Sequence, residues 1–547
     1  MIKLHLRSMR SSISSALSFA MTLSMVVNTP LYAQTLNSQS TPLDHLKAAP
    51  RPVFKKGNTL LPLGQAHCGL SRDTYIELAN YWGYGLPVQT DNLAQVAQAN
   101  PGRYQSIAAI GGVYRFYDNY DGRNSDLPPL PPNTWLRDKY GKIILNGGRP
   151  TVSPAAPNEA FQIIGNYYGK QFAQLKKSAG QPIKVLINEG ESGLWPPLDN
   201  DPEQLWGQDP TVLADFNNSG LNDWFVYASR NKARQEGALK EAIFKNLQSR
   251  PNYFWYQETY GNERGRWAGW SWYMFLYEHF LDSMKKPIVS DYTAPEMYYQ
   301  HGNSGWTGVR PEHMVPWDAL TQALNNISGA ISLGQKFTYP WITMGWEGYP
   351  GQPISSSDTF MGMMKTYYTA GAIGSVGGYF VCSGPLWEAL KYNKPVGTTT
   401  PTLIRQLTIQ GHAQALFSHL EEYLRNGDLL PGPNLHPYQS WTKLLPAMEF
   451  PAQGQTQQVQ GNWGLITIPT ARVLARKIVG EDRWLVTAWA NVGSDRNVRV
   501  KIDNKLGTLT LRARKAGSVY VVKLVNGRVQ QSLIDSDAMN PTKFLSP

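Results

Sequence analysis

Cysteine is nearly absent from this chain: only Cys68 and Cys382 occur, far apart, with no spacing of Cys, His, Asp and Glu that suits a metal. A disulfide-knit scaffold and a zinc module are both excluded. Charge is sparse as well, at 17% of residues, and although the formal net charge is +11, Lys and Arg never gather into a run of the kind that forms a nucleic-acid arm. No apolar stretch reaches the ~20 residues needed to span a bilayer, since the best candidate, 13–27, is interrupted by serines. Also missing are a Gly-rich phosphate loop, a Gly-x-Ser-x-Gly elbow and a His-Glu-x-x-His pair, while His67 and His301 stand isolated. No cofactor, no metal, no nucleic-acid partner and no stable membrane insertion are therefore expected.

What is plentiful is aromatic surface. The chain holds 18 Trp and 29 Tyr, and flat rings serve both core packing and stacking against the apolar faces of sugar rings. The amino terminus places Lys3, Arg7 and Arg10 ahead of the serine-broken apolar run and Leu31-Tyr32-Ala33 ahead of Gln34, the order of a secretory signal peptide. Residues 1–33 are read as that signal, and the mature protein as exported, either periplasmic or secreted.

From residue 59 onward, β-rich runs alternate with helix-length segments. The runs are 59–64, 106–116, 142–146, 183–188, 253–257, 288–292, 339–346 and 376–381, and between 158 and 177 Phe161, Ile164, Tyr168 and Phe172 recur at helical spacing. This pattern predicts an α/β fold, a (β/α)8 TIM barrel over residues 34–440. Cys68 follows the first run and Cys382 ends the last; those strands adjoin only in a closed barrel, where a Cys68–Cys382 disulfide is feasible, the alternative being two separate thiols. Past residue 440 a Gln-rich stretch leads into short alternating runs such as 484–489, 498–502 and 518–525, which predict a C-terminal all-β sandwich over 441–547.

Active groups of such barrels gather at the carboxyl ends of the strands. Acidic residues abut those ends here: Glu189 and Glu191 after the fourth run, Glu258 after the fifth, Asp291 within the sixth and Glu347 after the seventh. Two carboxylates across a cleft are what glycosidic cleavage requires, one to protonate the leaving oxygen and one to attack the anomeric carbon or activate water. Aromatic rings crowd the same ends, with Trp195, Trp306, Trp346 and the later Trp387 as candidate sugar platforms.

The Asn188-Glu189 pair after the fourth strand and Glu347 after the seventh resemble clan A of the glycoside hydrolases, the retaining (β/α)8 barrels. The resemblance spans about residues 59–390 and implies Glu189 as acid/base, Glu347 as nucleophile and Asn188 as a ligand of the sugar 2-hydroxyl. It further suggests Arg115 and Tyr292 as neighbours of the nucleophile. The chain departs from the clan in having Gly190-Glu191 where Pro often follows Asn-Glu, and in lacking a Trp at the end of strand eight. Glu258, Glu191 and Asp291 stand as alternative catalytic residues. The expected partner is a polysaccharide or oligosaccharide; alternatives to hydrolysis are a non-catalytic glycan-binding barrel and a polysaccharide lyase.

Overall fold

The computed structural model describes residues 40–65, 70–87, 106–110, 113–146, 148–188, 202–255, 356–377, 390–395, 399–434, 446–461 and 464–535, together with parts of 290–297 and 320–342. Short parallel strands carry the first two thirds: β1 Gly64–Gln65, β2 Leu86–Pro87, β3 Ser106–Ile110, β4 Ile183–Asn188, β5 Asn252–Trp255, β6 Glu296–Met297, β7 Trp341–Ile342 and β8 Val376–Gly377. They pair in two sets of four, β2-β3-β4-β5 and β1-β8-β7-β6, every pair parallel. The sets meet at both ends. On one side Leu63 pairs with Tyr84 as a parallel bridge; on the other the Asp291 N–H donates to the Tyr253 carbonyl at 2.9 Å. The two sets thus follow one another round a ring, with β1 beside β8; between β5 and β6 the join, among the described residues, is this bond from a residue that precedes β6.

Two expectations about the early strands fail, and their errors cancel. The run 142–146 is not in the ring: Leu145–Asn146 pairs antiparallel with Arg149–Pro150, a local hairpin turning at Gly148 with φ of +82°. Its apolar residues made it strand-like, but the turn at Gly148 returns it upon itself before it can cross to the ring. The true second strand, Leu86–Pro87, is too short and too near Gly85 to show alternation. With one strand lost and one gained, β4, β5, β7 and β8 keep the ordinal positions expected of them, whereas the sixth run is displaced: Ser290, Asp291 and Tyr292 of 288–292 are not strand, and β6 is Glu296–Met297.

Among the helices, α1 Arg72–Tyr81 follows β1, and a short α2 Val113–Asp118 follows β3. The long helices α3 Asn158–Ala179 and α4 Trp224–Leu247 flank β4 in sequence and pack on each other. Their approach depends on Gly165 and Gly169 one turn apart: a Cβ at Gly165 would stand 2.4 Å from the Leu239 carbonyl oxygen, and one at Gly169 2.8 Å from the Asn246 Cβ. Small residues at that spacing let two backbones close to a distance no larger side chain permits.

α5 Ser357–Ala370 lies between β7 and β8 in the chain, and α6 Thr399–His419 and α7 Glu421–Asn426 follow β8. The chain next forms an antiparallel five-stranded sheet from β9 Gly427–Leu429, β12 Arg472–Ile478, β13 Arg483–Trp489, β16 Ser518–Val525 and β17 Arg528–Asp535, in the order β9-β12-β13-β16-β17. Two hairpins accompany it, β10 Thr456–Gly461 with β11 Gly464–Pro469, and β14 Arg496–Lys501 with β15 Thr508–Ala513. Trp484, Val486 and Val522 of the sheet pack against Val498, Val500, Leu509 and Leu511 of the β14–β15 hairpin, so two β layers share one apolar core. The sheet starts earlier than residue 441, because β9 is drawn directly from the end of α7.

The opposite face of the sheet lies on α5. Gly362 leaves room for Trp489, whose Nε1 a Cβ there would approach to 2.2 Å, and Lys365 donates to the Gly517 carbonyl at 3.0 Å. Residues 38–547 accordingly form one unit.

Candidate functional site

At the carboxyl edge of the ring, Ile110, Asn188 and Trp255 stand level on β3, β4 and β5. Asn188 is the last residue of β4 and is only 2% exposed. Its side chain turns to α4, where its Nδ2 donates to Glu236 Oε2 at 2.7 Å. The Tyr253 hydroxyl donates to the same oxygen at 3.0 Å, and Lys232 Nζ lies 2.8 Å from Glu236 Oε1. Glu236 is therefore a buried carboxylate with a cation, an amide and a phenol around it, the full complement that makes a buried charge tolerable. Burial drives the Tyr253 phenol well above its ordinary pKa, and the Glu236 charge adds to that effect.

A second polar pair lies along the same helix. The Lys240 Nζ sits 5.8 Å from the Tyr253 ring centroid and 6.0 Å from that of Phe244. Loss of solvent lowers its pKa, against the pull of the Asp291 and Glu241 carboxylates. Asp291 is placed by β5: the Tyr253 N–H donates to Asp291 Oδ2 at 2.6 Å. Desolvation raises the pKa of that carboxyl, opposed by the same amide and by Lys240 and Arg250.

Four expected site residues fall within the described chain: Asn188, Arg115, Asp291 and Tyr292. Asn188 was expected to bind the sugar 2-hydroxyl; its amide nitrogen is instead engaged by Glu236, because it shares a strand face with Leu186 and the alternation of β4 turns that face to the helix layer. Arg115 was expected on a strand beside the nucleophile; β3 ends at Ile110, and Arg115 lies exposed on α2. Asp291 was an alternative catalytic acid; its carboxylate closes the seam with β5 opposite Tyr253, short of the Trp255 edge. Tyr292 was expected near the nucleophile Glu347, which lies outside the described residues; its ring lies 5.8 Å from Phe254 and edge-on at 5.4 Å to Phe337, which precedes β7. Phe254 in turn stacks at 4.3 Å on Tyr339, making an aromatic interior below the site.

Glu189, Glu191, Trp195, Glu258, Trp306, Trp346, Glu347, Trp387, Cys68 and Cys382 lie outside the described residues. Among the described residues no group of His, Cys, Asp and Glu could hold a metal ion, and no helix is long and apolar enough to cross a membrane.

Sequence reasoning missed the Lys232–Glu236–Lys240 ladder. Charges spaced four apart on a helix ordinarily mark a solvated face, and only the burial of Gln235, Ala233 and Leu239 around them shows the reverse. The signal available in the sequence was the small residues of the partner helix, Gly165 and Gly169, which mark α4 as a packed helix by letting α3 approach it at Leu239 and Asn246.

No family model matches the chain, and no curated protein does. Solved structures with some likeness include a GH42 β-galactosidase from Geobacillus stearothermophilus, at 8% identity over 88% of this chain and 100% of that one, with a TM-score of 0.42. A fungal β-1,4-galactanase shares 11% identity over 64% of this chain and 99% of its own, with a TM-score of 0.35. An L-ribulose 3-epimerase shares 10% over 65% and 95%, with a TM-score of 0.29. At such identities and scores the likeness assigns neither family nor reaction.

Proposed function

We propose that this chain is an exported (β/α)8-barrel glycoside hydrolase that cleaves β-glycosidic bonds of a polysaccharide by a retaining double displacement. The observation that carries the reading is the place of Asn188: it closes the fourth strand of a parallel ring, at the carboxyl edge, and the next residue in the chain is Glu189. Glu347 comes five residues after Ile342, the last residue of β7, the seventh strand. Acids after strands four and seven of such a ring suit the two roles, Glu189 as acid/base and Glu347 as nucleophile. With Glu347 ionised at about 5 Å, the spacing of retaining enzymes, repulsion would keep Glu189 protonated until the leaving oxygen takes its proton. Water activated by Glu189 would then release the glycosyl group from Glu347.

The adjacency of β1 and β8 supports the accompanying proposal of a Cys68–Cys382 bridge, since the two cysteines follow those paired strands in the chain. The signal-like leader supports export. The antiparallel module serves, in this reading, to cover α5.

The deciding experiment is reducing-sugar release from a panel of neutral and acidic polysaccharides by the wild type and by Glu189→Gln and Glu347→Gln. Release from one polymer that is lost in both variants is the expected result; release that survives both would move attention to Glu258. Binding without release, unchanged in the variants, would favour a glycan-binding barrel instead.

A further inference from the structure

We infer that Glu236 is a positioning residue for the acid/base carboxyl, holding the end of β4 from behind through Asn188. The inference rests on the hydrolase reading for Glu189 but on independent geometry for its mechanics. A strand end is ordinarily fixed by its ladder alone; here the side chain of its last residue is fixed as well. Asn188 Nδ2 meets Glu236 Oε2 at 2.7 Å, and Tyr253, on the neighbouring strand, meets the same atom at 3.0 Å. One carboxylate oxygen thereby joins β4, β5 and α4.

The helix that carries Glu236 is itself immobilised. Gly165 and Gly169 press α3 against it, Gln235 Nε2 donates to the Ser153 and Pro154 carbonyls at 3.0 and 3.1 Å, and Arg234 Nη2 donates to the Ala156 carbonyl at 2.8 Å. Lys232 pairs with Oε1 of Glu236 at 2.8 Å and so leaves Oε2 to accept from both Asn188 and Tyr253. A group that must meet a glycosidic oxygen is sensitive to such support: displacement by about 1 Å from productive geometry costs on the order of a hundredfold in rate.

The test compares the wild type with Glu236→Gln and with the double variant Lys232→Met/Glu236→Leu, which removes the acceptor shared by Asn188 and Tyr253. The single change leaves Lys232 buried without its partner and so reports on folding; the double change removes both charges together and keeps the shape. In the folded double variant kcat should fall about tenfold to a hundredfold with KM within about twofold, and the alkaline limb of the kcat/KM profile should move, because Glu189 sits in an altered field. Hydrogen exchange in the peptide covering 183–192 should quicken, whether or not a substrate has been found. A folded double variant with wild-type kcat, pH profile and exchange would overturn the inference. Full activity in Glu189→Gln would sink the hydrolase assignment, while the exchange measurement would still decide whether Glu236 holds the strand end.

Discussion

Arg476 of β12 donates to the carbonyl oxygen of Thr369, in the last turn of α5, at 3.2 Å. Its other N–H groups reach the carbonyls of Tyr423 at 3.2 Å, Leu424 at 3.3 Å and Gly427 at 2.8 Å. The guanidinium is fully buried, and burial lowers its pKa to about 10, eased by the Asp428 charge. What holds a cation there is the negative end of two helices, α5 and α7, whose last carbonyls have no partner within the helix.

Arg476→Met should therefore destabilise the protein by about 3 kcal/mol, since each stranded buried acceptor costs ~1–3 kcal/mol and the lost desolvation of the cation recovers only part. Urea unfolding of the two proteins measures it. An unchanged midpoint would mean that the carbonyls find other donors.

Gly165→Ala should be as damaging for a different reason. The added methyl would meet the Leu239 carbonyl oxygen at 2.4 Å, and α3 would have to withdraw from α4. Overpacking of this sort costs about 1–3 kcal/mol, and activity at a working temperature near the unfolding midpoint should fall with it. A variant as stable as the wild type would show that the helices slide apart freely.

The acid limb of stability should carry the mark of Glu421. Burial pushes its carboxyl up, but hydrogen bonds from the Thr59 hydroxyl and amide and from Arg425 outweigh this and hold it below the usual carboxylate range. A carboxylate whose folded pKa is depressed adds stability above its unfolded pKa and loses it as pH falls through the folded value. Glu421→Gln should be less stable than the wild type at pH 7, with the gap closing on acidification below about pH 4. A gap of constant size across that range would contradict an ionic origin.

Asp291→Asn offers the opposite sign. Its carboxyl is raised by desolvation, so the ionised form costs stability at neutral pH, and this cost disappears as pH falls through the raised value. The Asn variant keeps an oxygen for the Tyr253 amide and should match or exceed wild-type stability at pH 7. It should also retain sugar release within about threefold, whereas loss of a catalytic carboxylate costs orders of magnitude. A collapse in release with the fold intact would return Asp291 to the catalytic machinery.

How much was legible in the sequence follows from these particulars. The apolar run 183–188 became β4 with the expected bounds, because a strand covered on both faces needs no alternation to be seen. Leu86–Pro87 escaped notice, since two paired residues beside a glycine leave no pattern, and its pairing is decided by β3 rather than by its own propensity. The run 142–146 misled because apolar content does not distinguish a ring strand from a hairpin arm. At the site, the strand ordinals were readable and side-chain direction was not: that Asn188 faces Glu236 depends on the phase of β4 against a helix some fifty residues later in the chain.

The packing of Trp489 into the space left by Gly362 also has a consequence for the order in which the molecule can be completed. Synthesis proceeds from the amino terminus, and α5 belongs to the ring, yet the sheet that covers it includes β16, which ends at Val525. Until the chain has emerged as far as residue 525, that helix face stays wet, and the Thr369 carbonyl at its end waits for Arg476. A chain that stops after residue 440 lacks β12, β13 and β16, and with them Trp489 and Arg476, the partners of this face and end of α5.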